Sequence, residues 1–517
     1  MRDGIMTEQV QILDTTLRDG EQTAGVSFNA DEKLAIVKLL LKELKVNRVE
    51  VCSACVSEGE FRSFSRICAW AAAQGLLPQI EALGFVDGDR SVDWISDAGG
   101  REMNLLAKGS LRHLEGQLHK TPAEHVADIR DSLARAFAKG MAVNLYLEDW
   151  SQGMIQSKDY VFFLLDRLQD SGIRRFMLPD TLGILNPAQT RQFCREVRDR
   201  YPACRFDFHA HNDYDLATAN TFEAVAAGID GIHTTVNGLG ERAGNLPVSS
   251  AVAILNDQLK VPNTLDERKL THVCRYVETI SGLRIPPNKP IVGELVFTQT
   301  SGIHADGDRK AGLYQNALIP ERFGRIREYA LGKNSGKASV VKNLERLDIH
   351  LTPEQMKIVT DKVVELGDKK ESVTAEDLPF IIADVLGSGV STTRDNIHIV
   401  NYSLQLARGM RPVAVIKINI HGQDYEESAV GDGQYDAFMK ALWKVYDRLG
   451  KTHPRLVDYQ VTIPPGGKTD ALVAATISWD HDGHLLKTRS IDSDQTEAAI
   501  KATLKMLNLI ENVEISR

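Results

Sequence analysis

Two histidines, His209 and His211 in the stretch Arg205-Phe206-Asp207-Phe208-His209-Ala210-His211-Asn212-Asp213, have the types and spacing for metal chemistry. Read as a β-strand, the stretch has a period of two. Phe206 and Phe208 then face one way, and Asp207, His209 and His211 face the other. Two imidazoles on one strand face can close on a single divalent cation once a third ligand arrives from elsewhere. The competing explanation is a pair of ordinary hydrogen-bonded histidines. What separates the two is whether other parts of the chain bring polar groups to the same place.

The elements that must position them recur along the first half of the chain. From residue 10 to about 275, short apolar runs alternate with amphipathic helical stretches. The runs are 10–14, 48–53, 79–85, 102–107, 142–148, 174–179, 205–211 and 231–236. Eight strands separated by helices predict an α/β fold, the (β/α)₈ TIM barrel. A doubly wound sheet also alternates, but no glycine-rich dinucleotide turn follows the first run. Asn29 with Glu32 three residues on forms a capping box that opens the first helix. In such a barrel the chemistry sits at the carboxyl ends of the strands. The first run ends in Arg18-Asp19, the fifth in Glu148-Asp149 and the sixth in Asp180-Thr181. The seventh supplies the two histidines, and the eighth leads into Asn237–Asn245. Polar groups from five strand ends converge on one rim, which favours a functional site over solvated loops.

Composition limits the alternatives. With 517 residues, 43% hydrophobic and 25% charged, the chain reads as a globular enzyme of two or three domains. A net charge of −9 argues against a general nucleic-acid surface. No apolar run is long enough to span a bilayer, and the first residues carry no signal-peptide core, so the expected compartment is the cytoplasm. Cys52-x-x-Cys55 lacks a second pair to complete a zinc site and reads as reduced thiols. The segment 332–338 is not a phosphate loop, because its glycines are one residue too close and Ala338 replaces the hydroxyl residue. The expected domains are a barrel over 1–280, linker subdomains over 281–394, and a domain over 395–517 whose two similar halves suit a small-ligand cleft or a dimerisation module. The last contains a repeat: 430–441 aligns with 491–502, so Gln434 matches Gln495 at an offset of 495 − 434 = 61. Each copy reads as βββα.

Thr16-Leu17-Arg18-Asp19-Gly20-Glu21-Gln22, His209-Ala210-His211-Asn212-Asp213 and Asn237–Asn245 (NGLGERAGN), in this order, resemble the acyl-CoA Claisen condensation family. That family holds the isopropylmalate, homocitrate and citramalate synthases. The resemblance covers nearly the whole chain, and the repeat resembles the family's amino-acid-sensing domain. It implies metal ligands at Asp19, His209 and His211, with Asn245 as a further ligand, for a divalent ion such as Zn²⁺, Mn²⁺ or Mg²⁺. It implies acetyl-CoA as co-substrate of a 2-oxo acid chelated through carboxylate and ketone oxygens. Arg18 would stabilise the developing alkoxide, and Thr181 would bind the substrate carboxylate. Glu148 would either hydrogen-bond the oxo acid or the metal's water, or orient Arg18 by a salt bridge. The post-barrel segment 298–307 is similar to one that reaches the neighbour's active site in the family's dimers. It implies a homodimer, with His304 and Tyr314 as candidates for the base machinery. Ala305 departs from the leucine-pathway members, which usually have Gln there.

Leu83 and Leu106, at the ends of the third and fourth runs, with Tyr146 on the fifth, predict a small apolar pocket. No basic residue stands at 81–85 or 104–106 to pair a distal carboxylate. Pyruvate fits such a pocket, giving citramalate on a route to isoleucine. The alternative is 2-oxoisovalerate, giving 2-isopropylmalate. Helix starts at Tyr435, Asp436 and Gln495, with Thr469 and Leu472 between them, form the candidate site for an amino-acid effector, isoleucine or leucine.

Overall fold

The computed structural model describes residues 9–299, 313, 315–333, 335–346, 349–368, 373, 377–378, 381–382, 397–462, 473–481 and 484–515. Its eight parallel strands are β1 (Gln11–Asp14), β2 (Arg48–Ser53), β3 (Ile80–Phe85), β4 (Glu102–Lys108), β5 (Ala142–Glu148), β6 (Phe176–Asp180), β7 (Phe206–Ala210) and β8 (Gly231–Thr234). They pair in chain order and close into a barrel, with Leu13 opposite His233 and Asp14 opposite Thr234 at the seam. The expected capping box is present: Asn29 Oδ1 accepts from the Asp31 and Glu32 N–H groups, and Glu32 accepts from the Asn29 N–H. Strand alternation sorts the side chains as the period predicts. Phe206 and Phe208 are fully buried in the shell packed by the helices, while Asp207 and His209 join polar groups inside the barrel.

The amino-terminal end of the barrel interior is a charged layer. Arg48 NH1 lies 3.0 Å from Glu81 Oε1, and Arg48 also pairs with Asp207. Arg175 NH1 lies 2.7 Å from Asp207 Oδ1, and its NH2 donates to Gln11 Oε1 at 2.6 Å. Burial raises the Asp207 carboxyl, but Arg48 and Arg175 outweigh it and hold the group far below the usual carboxylate range. A cavity of about 450 Å³ opens beside this layer, lined by Arg48, Glu81, Glu102, Arg174 and Arg205 among others.

Burial pushes the Glu102 carboxyl up to about 7, against the pull of Arg174 2.7 Å away. An acid whose folded pKa exceeds its unfolded value of 4.5 binds more protons in the native state. Stability therefore falls as pH rises from about 4.5 to about 7 and stays at the lower level above. Glu102→Gln removes that cost. Its melting temperature should exceed the parent's at pH 8 by roughly 1–2 °C, a small shift because the amide also gives up the ion pair with Arg174, and should show no gain at pH 5.

The chain divides into two compact units, 1–297 with 315–327, and 298–314 with 328–517. In the first, Ile285, Ile291, Val292, Phe297 and Phe323 join the barrel core, with the Phe297 and Phe323 rings stacked at 6.0 Å. In the second, a helical cluster is built on Val340, Leu344, Val359 and Val363. The repeat follows as expected. Strands Ile397–Gln405, Val413–Ile420 and Gln423–Val430 form one antiparallel sheet, followed by helix Gln434–Arg448. Strands Arg455–Thr462, Val473–His481 and His484–Asp492 form the other, followed by helix Gln495–Ile515. Ile416, Ile418, Phe438 and Leu442 of one copy share a core with Ile477, Trp479 and Met506 of the other. Among the described residues no helix is long and apolar enough to cross a membrane.

Candidate active site

The turn after β1 aims Arg18 and Asp19 over the barrel. The N–H groups of Arg18, Asp19 and Gly20 all point back to the Thr15 carbonyl, at 3.2, 2.9 and 3.1 Å. Asp19 Oδ2 then lies 3.3 Å from His209 Nε2 and 3.8 Å from His211 Nε2, and the two Nε2 atoms are 3.3 Å apart. Ligand bonds of about 2.1 Å at tetrahedral to octahedral angles set neighbouring donors about 3.0–3.4 Å apart, so the triangle suits a divalent cation. Among the described residues, these three form the one group of His, Cys, Asp and Glu side chains close enough to share an ion. Burial lowers both imidazoles, His211 to about 4, so both are neutral and able to ligate. Burial raises Asp19, but Arg18 and the two histidines outweigh it and keep it ionised.

Asn245 completes the wall. Its Nδ2 donates to Asp19 Oδ1 at 3.0 Å and to Leu239 O at 3.2 Å, while its Oδ1 is buried with no protein hydrogen-bond partner. That oxygen is a lone pair ready for a cation or its water. The loop must be glycine-rich to let the amide in. A Cβ on Gly240 would lie 2.1 Å from Asn245 Nδ2, and Gly240 sits at φ +151°.

Arg18 is held at three corners. Nε donates to Glu50 Oε2 at 2.7 Å, NH1 to Asp19 Oδ2 at 3.0 Å and NH2 to the Tyr146 hydroxyl at 3.3 Å. Glu50, fully buried on β2, also accepts from Thr15 Oγ1 at 2.7 Å and Asn104 Nδ2 at 2.8 Å. The salt bridge that orients Arg18 thus comes from Glu50, and Glu148 pairs with Lys108 instead. This corrects one of the two roles expected of Glu148. The reason is register: Arg18 reaches down to the neighbouring β2, whereas Glu148 caps β5 beside the last residue of β4. Sequence reasoning passed over Glu50, although its signal was there as a charge alternating with Val49 and Val51 on an interior strand.

Lys108 was also missed. The fourth run reads as ending at Ala107, but β4 continues through Lys108, and the Gly109 N–H donates to Glu148 O at 2.6 Å. A Cβ on Gly109 would meet Leu147 O at 2.4 Å, so this zipper needs glycine. The Lys108 backbone is locked by His125 Nε2 at 3.0 Å and the Tyr160 hydroxyl at 2.8 Å. A basic group therefore does stand at the end of β4, two residues beyond Leu106 on the same face, with Glu148 as its partner.

Leu83, Leu106 and Tyr146 come together as expected. They belong to an apolar cluster inside the barrel, separate from the main core, that also takes in Leu13, Phe85 and Met177. Thr181 stands at the end of β6, where its Oγ1 accepts from the Asp149 N–H at 2.9 Å. That leaves its own O–H to donate. Asp149 holds a left-handed φ of +62°, with its carboxylate fixed by Ser110 Oγ at 2.7 Å.

His304 and Tyr314 lie outside the described residues, as do Thr469 and Leu472. Of the other effector-site residues, the Tyr435 hydroxyl meets Thr503 Oγ1 at 2.6 Å, and its ring packs on Tyr459. Asp436 accepts from the Asp432 N–H at 2.7 Å and from Lys440. Gln495 opens the second helix, where Asp494 Oδ1 already caps the N–H groups of Thr496 and Glu497 at 2.8 and 2.9 Å.

Residues 9–277 match the HMGL-like family, residues 291–371 the homocitrate synthase post-HMGL domain-like family, and residues 372–511 the LeuA allosteric (dimerisation) domain. The (R)-citramalate synthase of Methanocaldococcus jannaschii is 31% identical over 505 residues, covering 97% of this chain and 100% of that one. The 2-isopropylmalate synthase of the same organism is 30% identical over 510 residues, covering 97% of this chain and 95% of that one.

Proposed function

Because the chain belongs to the HMGL-like, LeuA-tailed family of acetyl-CoA-dependent 2-oxo acid synthases, we propose that it condenses acetyl-CoA with pyruvate and water to give (R)-citramalate and CoA. The two relatives differ in name and hardly in identity, so the choice of oxo acid rests on the pocket. The carrying observation is the cluster of Leu13, Leu83, Phe85, Leu106, Tyr146 and Met177 inside the barrel. We read it as an apolar recess that suits a methyl group; of the cations beside it, Lys108 is paired with Glu148 and Arg18 is anchored by Glu50, Asp19 and Tyr146. A branched 2-oxoisovalerate side chain needs room these residues fill, and a distal carboxylate finds no free cation among them.

Each residue then has a task. Asp19, His209 and His211, with Asn245 Oδ1 in reach, hold a divalent metal ion, Zn²⁺, Mn²⁺ or Mg²⁺, which supplies Lewis-acid polarisation of the ketone when bound. Arg18 has five N–H donors, of which three are anchored. The remaining two face the oxygen on which negative charge develops as the new carbon–carbon bond forms. Thr181 Oγ1 donates to the oxo-acid carboxylate. Glu148, held by Lys108, hydrogen-bonds the oxo acid or a water at the rim. His304 and Tyr314, supplied by the post-barrel segment of a dimer partner, remove the acetyl methyl proton. Water then cleaves the thioester to release CoA and the dicarboxylate. Exposed Val400, Val415, Leu456 and Val457 on the strands of the carboxy-terminal unit favour a homodimer. A cytoplasmic location suits this reading.

The test is product identity. With metal, acetyl-CoA and pyruvate, the enzyme should release one thiol per molecule of (R)-citramalate, identified by mass and chiral chromatography. Thiol release without that product would defeat the proposal. The pocket gives a second expectation. Leu106→Ala should lower kcat/KM for pyruvate and raise the 2-oxoisovalerate to pyruvate ratio about tenfold, since each methylene of fit is worth roughly 1–3 kcal/mol. An unchanged ratio would remove Leu106 from the wall.

Feedback control is assigned to the repeat, through coupling free energy and not chemistry. Tyr435, Asp436, Gln495, Thr469 and Leu472 form the proposed effector site, with isoleucine ahead of leucine. Millimolar isoleucine should slow pyruvate-dependent turnover of the full chain, and Tyr435→Ala should lift that inhibition. If neither amino acid changes the rate or the melting temperature, the repeat is a dimerisation module only.

A further inference from the structure

Beneath Arg18 runs a polar chain from Tyr146 to His233 and Asp207, and none of the roles above uses His233. The Tyr146 hydroxyl lies 3.3 Å from Arg18 NH2 and 3.0 Å from His233 Nδ1. His233, on β8, is 1% exposed, and its Nε2 lies 3.5 Å from Asp207 Oδ2, an electrostatic contact longer than an ordinary hydrogen bond. Asp207 is pinned in turn by Arg48 and Arg175. The barrel makes space for this arrangement. A Cβ on Gly231 would lie 2.3 Å from Asp207 Oδ1, so the carboxylate occupies the place of a missing side chain.

Charge sets the direction of each contact. Ionised Asp207 can only accept, so the imidazole proton belongs on Nε2, and His233 Nδ1 is left as an acceptor. Tyr146 must then donate its one O–H to His233. Its oxygen lone pair is turned to Arg18, whose NH2 can only donate. The tyrosine ring stands edge-on to both His233 and His209, at 5.5 and 6.1 Å between centroids, which fixes its plane.

We propose that His233 is a positioning residue for the condensation. By accepting the Tyr146 O–H, it leaves the phenol oxygen only its lone pairs for Arg18 and so fixes the third corner of the guanidinium. With that proton free, the Tyr146 hydroxyl turns towards other acceptors at the site, and Arg18 loses one of three anchors. The proposal rests on the role given to Arg18 above and adds to it a residue on a strand that the reaction scheme otherwise leaves out.

A double-mutant cycle tests it. Metal-loaded wild type, His233→Phe, Tyr146→Phe and the double variant are compared by thiol release from acetyl-CoA with pyruvate. His233→Phe should lower kcat about tenfold, the worth of one hydrogen bond to a charged group's partner. KM for acetyl-CoA and bound metal should be unchanged. In the Tyr146→Phe background the same substitution should cost less than about twofold. Costs that multiply, an unchanged kcat, or loss of metal in His233→Phe would overturn the proposal. If His233→Phe does not accumulate as folded protein, His233→Asn keeps an acceptor near the Nδ1 position. It should stay within about threefold of wild type, and a loss as large as that of Tyr146→Phe overturns the proposal. Arg18→Gln separates the two levels. Full turnover in that variant removes the role of Arg18 and this proposal with it, whereas an inactive Arg18→Gln beside a multiplicative cycle overturns the His233 assignment alone.

Discussion

His209→Ala and His211→Ala should each purify folded, carry little divalent metal and turn over about 10³-fold more slowly, or worse. The expectation follows from the small size of the ligand set. Three buried side chains converge on one point, with donor atoms 3.3 to 3.8 Å apart, and each removal leaves two. Both imidazoles are kept neutral by burial, so neither competes with a proton for the ion near neutral pH. Folding should survive, because β7 is anchored by Phe206 and Phe208 in the main core and by Asp207 in the charged layer below. Metal per subunit by mass spectrometry, with kcat on the same sample, decides the matter. Full metal and full turnover in either variant would end the reading of this strand.

Arg18→Gln should lower kcat by about 10²–10³-fold with KM for acetyl-CoA little changed, the signature of a donor that acts where charge develops. Glu50, Asp19 and Tyr146 take three of the Arg18 N–H groups, and the cation is buried among carboxylates that keep it charged. Glu50→Gln keeps the shape but weakens the anchor, and should cost about tenfold. Steady-state kinetics on both variants, with metal content as the control, give the check. An Arg18→Gln enzyme with parental kcat would show that the charge is met by another group.

The barrel was legible because its signal is periodic. Every expected strand is present, with ends that moved by one or two residues. The sixth strand starts at Phe176 and not at Arg174, since Arg174 and Arg175 turn to Glu102 and Asp207 in the layer below. The triangle of Asp19, His209 and His211 was legible because the two histidines lie two residues apart, His209 in β7 and His211 just after it, and a long motif brought Asp19 to them. Glu50, Lys108 and His233 were not. Each acts through a partner on another strand: Glu50 on Arg18 across 32 positions, Lys108 on Glu148 across 40, and His233 on Tyr146 across 87. A single sequence shows which faces of a strand are polar, but not which polar groups stand opposite one another. The helix starts of the repeat show the same limit at short range. Open N–H groups were expected at both repeat helices, yet Asp494, directly before Gln495, folds back to cap the second.

The central claim is the oxo acid, and the direct measurement is kcat/KM for pyruvate, 2-oxoisovalerate and 2-oxoglutarate side by side. Thiol release from saturating acetyl-CoA is read on one metal-loaded preparation. The cluster of Leu13, Leu83, Phe85, Leu106, Tyr146 and Met177 predicts pyruvate ahead of 2-oxoisovalerate by about 10²-fold or more, with 2-oxoglutarate lowest. A value for 2-oxoisovalerate equal to or above that for pyruvate would contradict the account and make the enzyme a 2-isopropylmalate synthase.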